Sequence, residues 1–447
     1  MAATVDEKQV FQVDVKQAAT PEREEPCSSR YLQHADPNNG DEALQAFAGL
    51  EDGERLVMDE ETNRRLLRKI DWHLMPIMCV VYGLNFLDKT TLSYASIMGL
   101  QTDLHLKGDN YSWLGSMFYV GYIFWEYPTN RLLQRLPLAK YSSFNIILWG
   151  LVLCCMAATT DFAGAVAVRF FLGVFEAAIT PGFALFTSQW YTKKEQGMRT
   201  GIWFSFNGWA QVFGGLLAYG IARGVDLHGA AIASWKIVFL ATGLLTTTAG
   251  IVFLFVMPDN QLNARWLTKR ERMLAVERIR SNQQGVGNKH FKWYQLKEAL
   301  TDPLTWAFTF YALAADIPNG GLSNFFSQLL VSFGYTPEQS LLYGTPGGAV
   351  EVVSLLVCGY LGDRYGNRIL VSLGGLVCAT VGMILIVALP LSNNVGRLAG
   401  YYMTGASATP FVAILSLISS NVAGYTKKTT VAALYLIAYC AGNIIGQ

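Results

Sequence analysis

Seven ionisable side chains stand inside apolar runs of this sequence: Asp88, Lys89, Glu126, Arg169, Glu176, Asp316 and Glu351. A charge near the centre of a bilayer costs roughly 2.5–3.5 kcal/mol even on lenient insertion scales, so such residues are expected to be few and to face a cavity or a partner. Arg169 and Glu176 lie seven residues apart in RFFLGVFEAAITPGF. Two helical turns separate them, which puts both on one helix face about 10 Å apart along the axis. That distance is too long for a simple salt bridge and leaves room for a bridging group. A guanidinium fork suits a carboxylate, and a buried carboxyl can exchange its charge for a proton. Asp88, about 24 Å along its helix from the cytoplasmic start, is expected at the depth of Arg169.

Uncharged polar residues complete a candidate cavity: Tyr82 and Asn85 beside Asp88, Asn207 and Gln211 further on, and Asn319 and Asn324 in the second part of the chain. Trp203, Trp209, Phe325 and Tyr343 could close over a flat ligand, although rings of this kind are abundant in any membrane span. Glu126, next to Pro128, reads as structural, whereas Asp316 and Glu351 suit either a structural or a functional role. For any single charge the alternative is neutralisation between helices. Pro181-Gly182, Pro318 with Gly320-Gly321, and Pro346 with Gly347-Gly348 are expected to interrupt helices.

The elements that must hold these residues follow from composition. The chain has 447 residues, 52% hydrophobic and 15% charged, with a mean hydropathy of +0.27, which is the composition of a membrane protein. Runs that match the roughly 20 apolar residues a bilayer core requires fall near 72–96, 112–134, 140–160, 162–188, 200–222 and 235–257. Five more follow near 303–332, 339–361, 369–390, 396–422 and 429–447. With the N-terminus inside, the inner short loops hold ten Lys and Arg (Arg131, Arg135, Lys140, Lys193, Lys194, Arg199, Arg364, Arg368, Lys427, Lys428) and the outer ones four (Lys107, Arg223, Lys236, Arg397). That bias predicts a cytoplasmic N-terminus.

The expected organisation is a disordered cytoplasmic tail over 1–58, a six-helix half over 59–257, a cytoplasmic loop over 258–302 and a second half of five helices over 303–447. Thr268 and Glu271 form a capping box that starts an amphipathic helix in the loop. A net charge of +1 and five histidines give no support to nucleic-acid binding. No Gly-x-x-x-x-Gly-Lys-Ser/Thr loop is present, which argues against an ATPase. Seven cysteines without Cys-x-x-Cys spacing read as packing residues. No nucleophile, metal or cofactor constellation points to an enzyme.

Gly359-Tyr-Leu-Gly-Asp363-Arg364-Tyr-Gly366-Asn-Arg368 follows the eighth run, and Asn130-Arg131-Leu-Leu-Gln-Arg135 occupies the equivalent place after the second. The first of these resembles the signature loop of the major facilitator superfamily. Leu87-Asp88-Lys89-Thr90-Thr91-Leu92-Ser93-Tyr94-Ala95, Leu136-Pro137-Leu-Ala-Lys140-Tyr141, Arg169–Gly182 with Trp190-Tyr191, and Ile317-Pro318-Asn319-Gly320-Gly321-Leu322 resemble the anion:cation symporter family, and within it the fungal allantoate permease-like group.

The resemblance implies an all-α integral membrane fold of two pseudo-symmetric six-helix halves, working as a monomer in the plasma membrane. It implies proton-coupled uptake of a small organic anion, such as allantoate, a ureido acid, nicotinate or a short peptide, by alternating access. Asp88 and Glu176 would carry protons, and Lys89 and Arg169 would engage the anion. Lysine at position 89 replaces the arginine of many relatives and lacks its bidentate fork. Relatives have twelve spans where eleven are expected here, so a missing twelfth is inferred. That shortfall gives weight to a truncated remnant or nutrient sensor, and export of a cluster-encoded metabolite is a further alternative.

Overall fold

The computed structural model describes residues 59–280, 292–422 and 424–447, and among them every regular element is a helix. The first half is α1 (Glu60–Ile97), α2 (Asn110–Arg135), α3 (Leu138–Cys155), α4 (Phe162–Glu176), α5 (Ile179–Trp190), α6 (Lys193–His228) and α7 (Ser234–Val256). Two amphipathic helices follow, α8 (Lys269–Arg280) and α9 (Trp293–Thr301). The second half is α10 (Pro303–Ser332), α11 (Pro337–Tyr343), α12 (Thr345–Tyr365), α13 (Arg368–Ala388), α14 (Asn394–Thr404), α15 (Ala408–Asn421) and α16 (Tyr425–Ile445). The expected tail over 1–58 lies outside the described residues.

Eight helical segments are long and apolar enough to cross a membrane by composition alone. The other three expected runs are also helical, as α2, α6 and α10. These carry Glu126, Asn207 with Gln211, and Asp316 with Asn319, all buried or lining the central cavity. In contrast α13 turns Ile369, Leu370, Leu373, Val377, Val381, Ile384 and Val387 outward. An apolar exterior of this kind is stable only in a hydrocarbon solvent.

Glycines set the tightest crossings. Gly173 of α4 lies on the Phe118 carbonyl of α2, and Gly121 of α2 on the Phe170 carbonyl of α4. Gly320, Gly442 and Gly446 bring α10 and α16 together, while Gly208 of α6 meets Gly348 of α12 across the two halves. Small residues of this kind let backbones approach where packing, not water exclusion, holds helices together.

The halves also meet at the end of the bundle where α1 finishes. Ser93 Oγ bonds Ser327 Oγ at 3.1 Å, and the Tyr111 hydroxyl donates to the Asn324 carbonyl at 2.7 Å.

One proline behaves differently from expectation, since helix α10 runs unbroken through Pro318, whereas the fourth run does break, at Ala177-Ala178, with Pro181 in the first turn of α5 offering no N–H to the Ala177 carbonyl. Membrane helices tolerate an internal proline because neighbouring groups re-satisfy the freed carbonyl. Pro346 does stand at a helix start, in the first turn of α12.

The central loop is divided between the halves. Its first part docks on the first half, where Lys69 pairs with Glu271 at 2.8 Å, Arg278 pairs with Glu195, and His73 stacks on Trp266 at 4.4 Å. The capping box forms as expected, with Thr268 N donating to Glu271 Oε2 at 2.8 Å. Helix α9 docks on the second half instead, through Thr426 N to Gln295 Oε1 at 3.0 Å and Lys427 to Glu298 at 2.8 Å. The hydrogen bond from Lys427 also holds the Asp302 carboxyl below the usual aspartate range.

In the signature loop, α12 continues to Tyr365 and ends at Gly366, whose φ of 71° only glycine adopts without strain. Gly359 lies within α12 with no neighbour close to its Cα face. Arg364 donates to the Tyr360 hydroxyl at 3.1 Å, and Arg368 donates to Ser416 at 2.8 Å while its guanidinium covers Gly197 at the start of α6. The side chain of Asp363 lies outside the described residues.

Candidate functional site

Asp88 and Lys89 are neighbours on α1, and each faces a different charge at α4. Asp88 Oδ1 lies 4.0 Å from Arg169 Nη1, and Lys89 Nζ lies 2.5 Å from Glu176 Oε1. The axial gap between Arg169 and Glu176 is thus filled by α1. Two crossed ion pairs result, and their four charges sum to zero. Asp88, Arg169 and Glu176 are essentially without solvent exposure, whereas the Lys89 side chain keeps 12%.

Further groups fix this square. Trp149 Nε1 on α3 donates to Asp88 Oδ2 at 2.8 Å. Arg169 Nε donates to the Leu114 carbonyl at 3.1 Å, and Lys89 Nζ donates to Asn85 Oδ1 at 2.8 Å. The Phe118 ring lies beneath both cations, 5.6 Å from Lys89 Nζ and 5.0 Å from Arg169 Cζ. Its π face adds a favourable contact for each. Asp88 Oδ1 and Arg169 Nη1 have no hydrogen-bond partner, so their contact is ionic and loose. A loose contact between desolvated charges leaves room for rearrangement.

Beside the square lies a central cavity of about 140 Å³. Lys89 is the one member of the square that lines it, together with Asn85, Asn207, Gln211, Asn319, Asp316 and Glu351 among the polar residues. Asn207 Oδ1 is unpartnered, and Gln211 donates to Tyr401 at 2.7 Å and to the Gly344 carbonyl at 3.0 Å. Asn319 donates to Asn443 at 3.0 Å.

Two expected ligand contacts stand elsewhere. Arg169 is buried behind the square on Leu114 and Asp88 and does not line the cavity. Asn324 also lies outside it, with its amide nitrogen turned back to the Gly320 carbonyl. Glu126 is buried on α2 and accepts from Asn130 at 2.8 Å, which fits the structural reading.

Of the ring residues named from sequence, Tyr82 lines the cavity, while Trp203, Trp209, Phe325 and Tyr343 do not. Trp203 instead packs edge-on against Tyr82 at 4.5 Å. The rings that do line it include Phe204, Phe326, Tyr401, Phe411 and Tyr439. Phe118 and Trp149, which hold the charges, were not legible either. A ring one or two turns from a charge on its own helix can be read from sequence, but Phe118 and Trp149 reach theirs from other helices.

The comparisons agree with this architecture. The model of the Major Facilitator Superfamily matches residues 78–447. The chain is 43% identical over 390 residues to the uncharacterized transporter C417.10 of Schizosaccharomyces pombe, covering 87% of this chain and 76% of that protein. It is 38% identical over 417 residues to the allantoate permease of Saccharomyces cerevisiae, covering 91% of this chain and 76% of that one. A bacterial homolog of the human lysosomal transporter Spinster, solved inward-facing and unoccupied, superposes with a TM-score of 0.60 at 18% identity, over 83% of this chain and 80% of its own. At that identity the likeness speaks for the fold alone. With charge pairs buried at the heart of two helical halves and a polar cavity beside them, the chain belongs to the Major Facilitator Superfamily of multi-pass membrane transporters.

Proposed function

We propose that this chain imports a small organic anion together with protons across the plasma membrane, by alternating access of its two halves. The observation that carries the reading is the crossed pairing of Asp88 with Arg169 and Lys89 with Glu176, with only Lys89 open to the cavity. In the empty state Glu176 neutralises Lys89. A substrate carboxylate arriving at Lys89 competes with Glu176 for the same ammonium. The displaced Glu176 carboxylate is then left desolvated without its counter-charge, and taking a proton removes that cost. Substrate and proton therefore favour each other's binding, and by linkage each favours the other equally.

Asp88 is the second proton carrier on this reading. Arg169 is its counter-charge, held behind the cavity rather than placed on the substrate. Loss of the protons on the far side restores both pairs and expels the anion. With the N-terminus in the cytoplasm, the end closed by Ser93–Ser327 and Tyr111–Asn324 is the outer one.

Allantoate is the first substrate to try, because the permease of that name is 38% identical to this chain. Full-length protein reconstituted in liposomes with an acidic exterior should accumulate labelled allantoate, nicotinate or a short peptide, and a protonophore should abolish the accumulation. Uptake of none of them, or uptake indifferent to the gradient, would contradict the proposal.

A further inference from the structure

Helix α1 is longer than a membrane requires. Its 38 residues rise about 57 Å at ~1.5 Å each, against a hydrocarbon core of about 30 Å. The part from Trp72 to Ile97 spans that core by itself, so the turns from Glu60 to Asp71 stand beyond it. Exposure marks where the boundary falls. Arg65, Arg68, Trp72, Pro76 and Val80 follow one another at helical spacing along one open stripe, with Trp72 79% and Val80 46% exposed. An indole so placed belongs at the interface between membrane and water, with Val80 in the hydrocarbon. The two arginines then stand one and two turns outside it, at the level of the lipid headgroups.

Helix α8 widens this surface. Lys69 pairs with Glu271 at 2.8 Å, Arg278 donates to Asn63 at 2.8 Å and His73 stacks on Trp266, so α8 runs antiparallel to the start of α1 along its flank. That alignment brings Arg265, Lys269 and Arg270, all exposed, to the level of Lys69 to His73. Among the described residues, none of Arg65, Arg68, Arg265, Lys269 and Arg270 has an ion pair or a side-chain hydrogen bond. Arg64 is paired with Glu60 at 3.3 Å. Glu61, one turn before Arg65, is the opposing charge on the stripe, and the five cations outweigh it.

We infer that this face, Arg65 and Arg68 of α1 with Arg265, Lys269 and Arg270 beside them and Trp72 at its edge, binds the headgroups of anionic phospholipids. The leaflet is the cytoplasmic one on the orientation proposed above. Lipid phosphate and carboxylate oxygens supply the counter-charges that the described residues do not. Continuity with the apolar stripe at Pro76 and Val80 favours a lipid over a soluble anion or an acidic protein, because a lipid meets the cations and the stripe at once. Each basic residue at such a surface strengthens binding by roughly five-fold.

The test is lipid binding by the full chain in a neutral maltoside detergent, whose micelles have no sides and so read the site independently of orientation and transport. Native mass spectrometry should show phosphatidylserine binding about ten-fold tighter than phosphatidylcholine with the same acyl chains. Arg65→Gln combined with Arg68→Gln should remove most of that preference. Lys107→Gln combined with Arg223→Gln deletes the same charge at the other end of the bundle and should leave the preference within about three-fold. Inorganic phosphate at the lipid's concentration should not displace it. Equal binding of the two lipids, a preference that survives the first pair of substitutions, or one lost equally with the second pair overturns the site. Displacement by phosphate overturns the lipid as its ligand. Because the preference is first read on the unaltered protein, a variant that fails to fold does not remove the test.

Discussion

The two halves treat their buried acids in opposite ways. In the first half Asp88 and Glu176 each face a cation of their own, within a square closed by Trp149, Asn85 and Phe118. In the second half Asp316 and Glu351 face the cavity, and among the described residues neither forms an ion pair. A paired set can switch partners, so it suits coupling of substrate to protons. An acid without a cation has only a proton, water or a ligand to balance its charge.

Breaking a pair in the first half should have the largest effect. Arg169→Gln strands Asp88 in the interior, and removing one partner of a buried pair costs about 3–5 kcal/mol. Thermal denaturation in detergent should register that loss, with uptake falling to background. Combining it with Asp88→Asn should restore much of the stability but no transport, since the two sites share one interaction.

Next in size is the crossing between the halves. Gly348→Val places a side chain on the Gly208 carbonyl, and overpacking of this kind costs about 1–3 kcal/mol. Because the contact joins the halves, transport should suffer more than stability. Cysteine cross-linking between α6 and α12 should report a wider separation.

Glu351→Gln should go the other way from Arg169→Gln. Removing an acid without a partner should leave the melting temperature unchanged or raise it, by about 1 kcal/mol at most. A destabilisation comparable with that of Arg169→Gln would erase the contrast between the halves.

The smallest expected effect lies outside the membrane, at Lys427 and its partners Glu298 and Asp302. These side chains are partly exposed, so Lys427→Ala should cost under about 1 kcal/mol. The Asp302 carboxyl is held low in the folded state. Its contribution is therefore complete above the ordinary aspartate value of ~3.9 and is lost as the pH falls through the lowered one. Melting curves between neutral and acidic pH should show the variant and the unaltered protein converging at the acidic end.

Much of this molecule was legible in the sequence because membranes penalise charge so strongly. That penalty singled out seven charges, the resemblance picked Asp88, Lys89, Arg169 and Glu176 from among them, and periodicity placed Arg169 and Glu176 on one face. Spacing could not say what the face looks at. It left an apparent gap between Arg169 and Glu176 that α1 fills from another part of the chain. It also suggested a ligand contact for Arg169, which the fold instead buries against Leu114.

Aromatic residues were the least legible, since a ring on a span faces lipid, core or cavity with similar chemistry. Trp209 is 42% exposed and Trp203 is buried, although both lie on α6 within two turns of each other. Proline gave a false break at Pro318, whose helix runs on, while Pro181 does mark the break at Ala177-Ala178, four residues before it.

The central claim is that a substrate carboxylate competes with Glu176 for Lys89, so that substrate and proton bind together, and Glu176→Gln tests it most directly. In proteoliposomes loaded with unlabelled substrate, the variant should still exchange it for labelled substrate outside. With an imposed inward proton gradient and no internal substrate, it should fail to accumulate any. Gradient-driven accumulation at the level of the unaltered protein would contradict the claim.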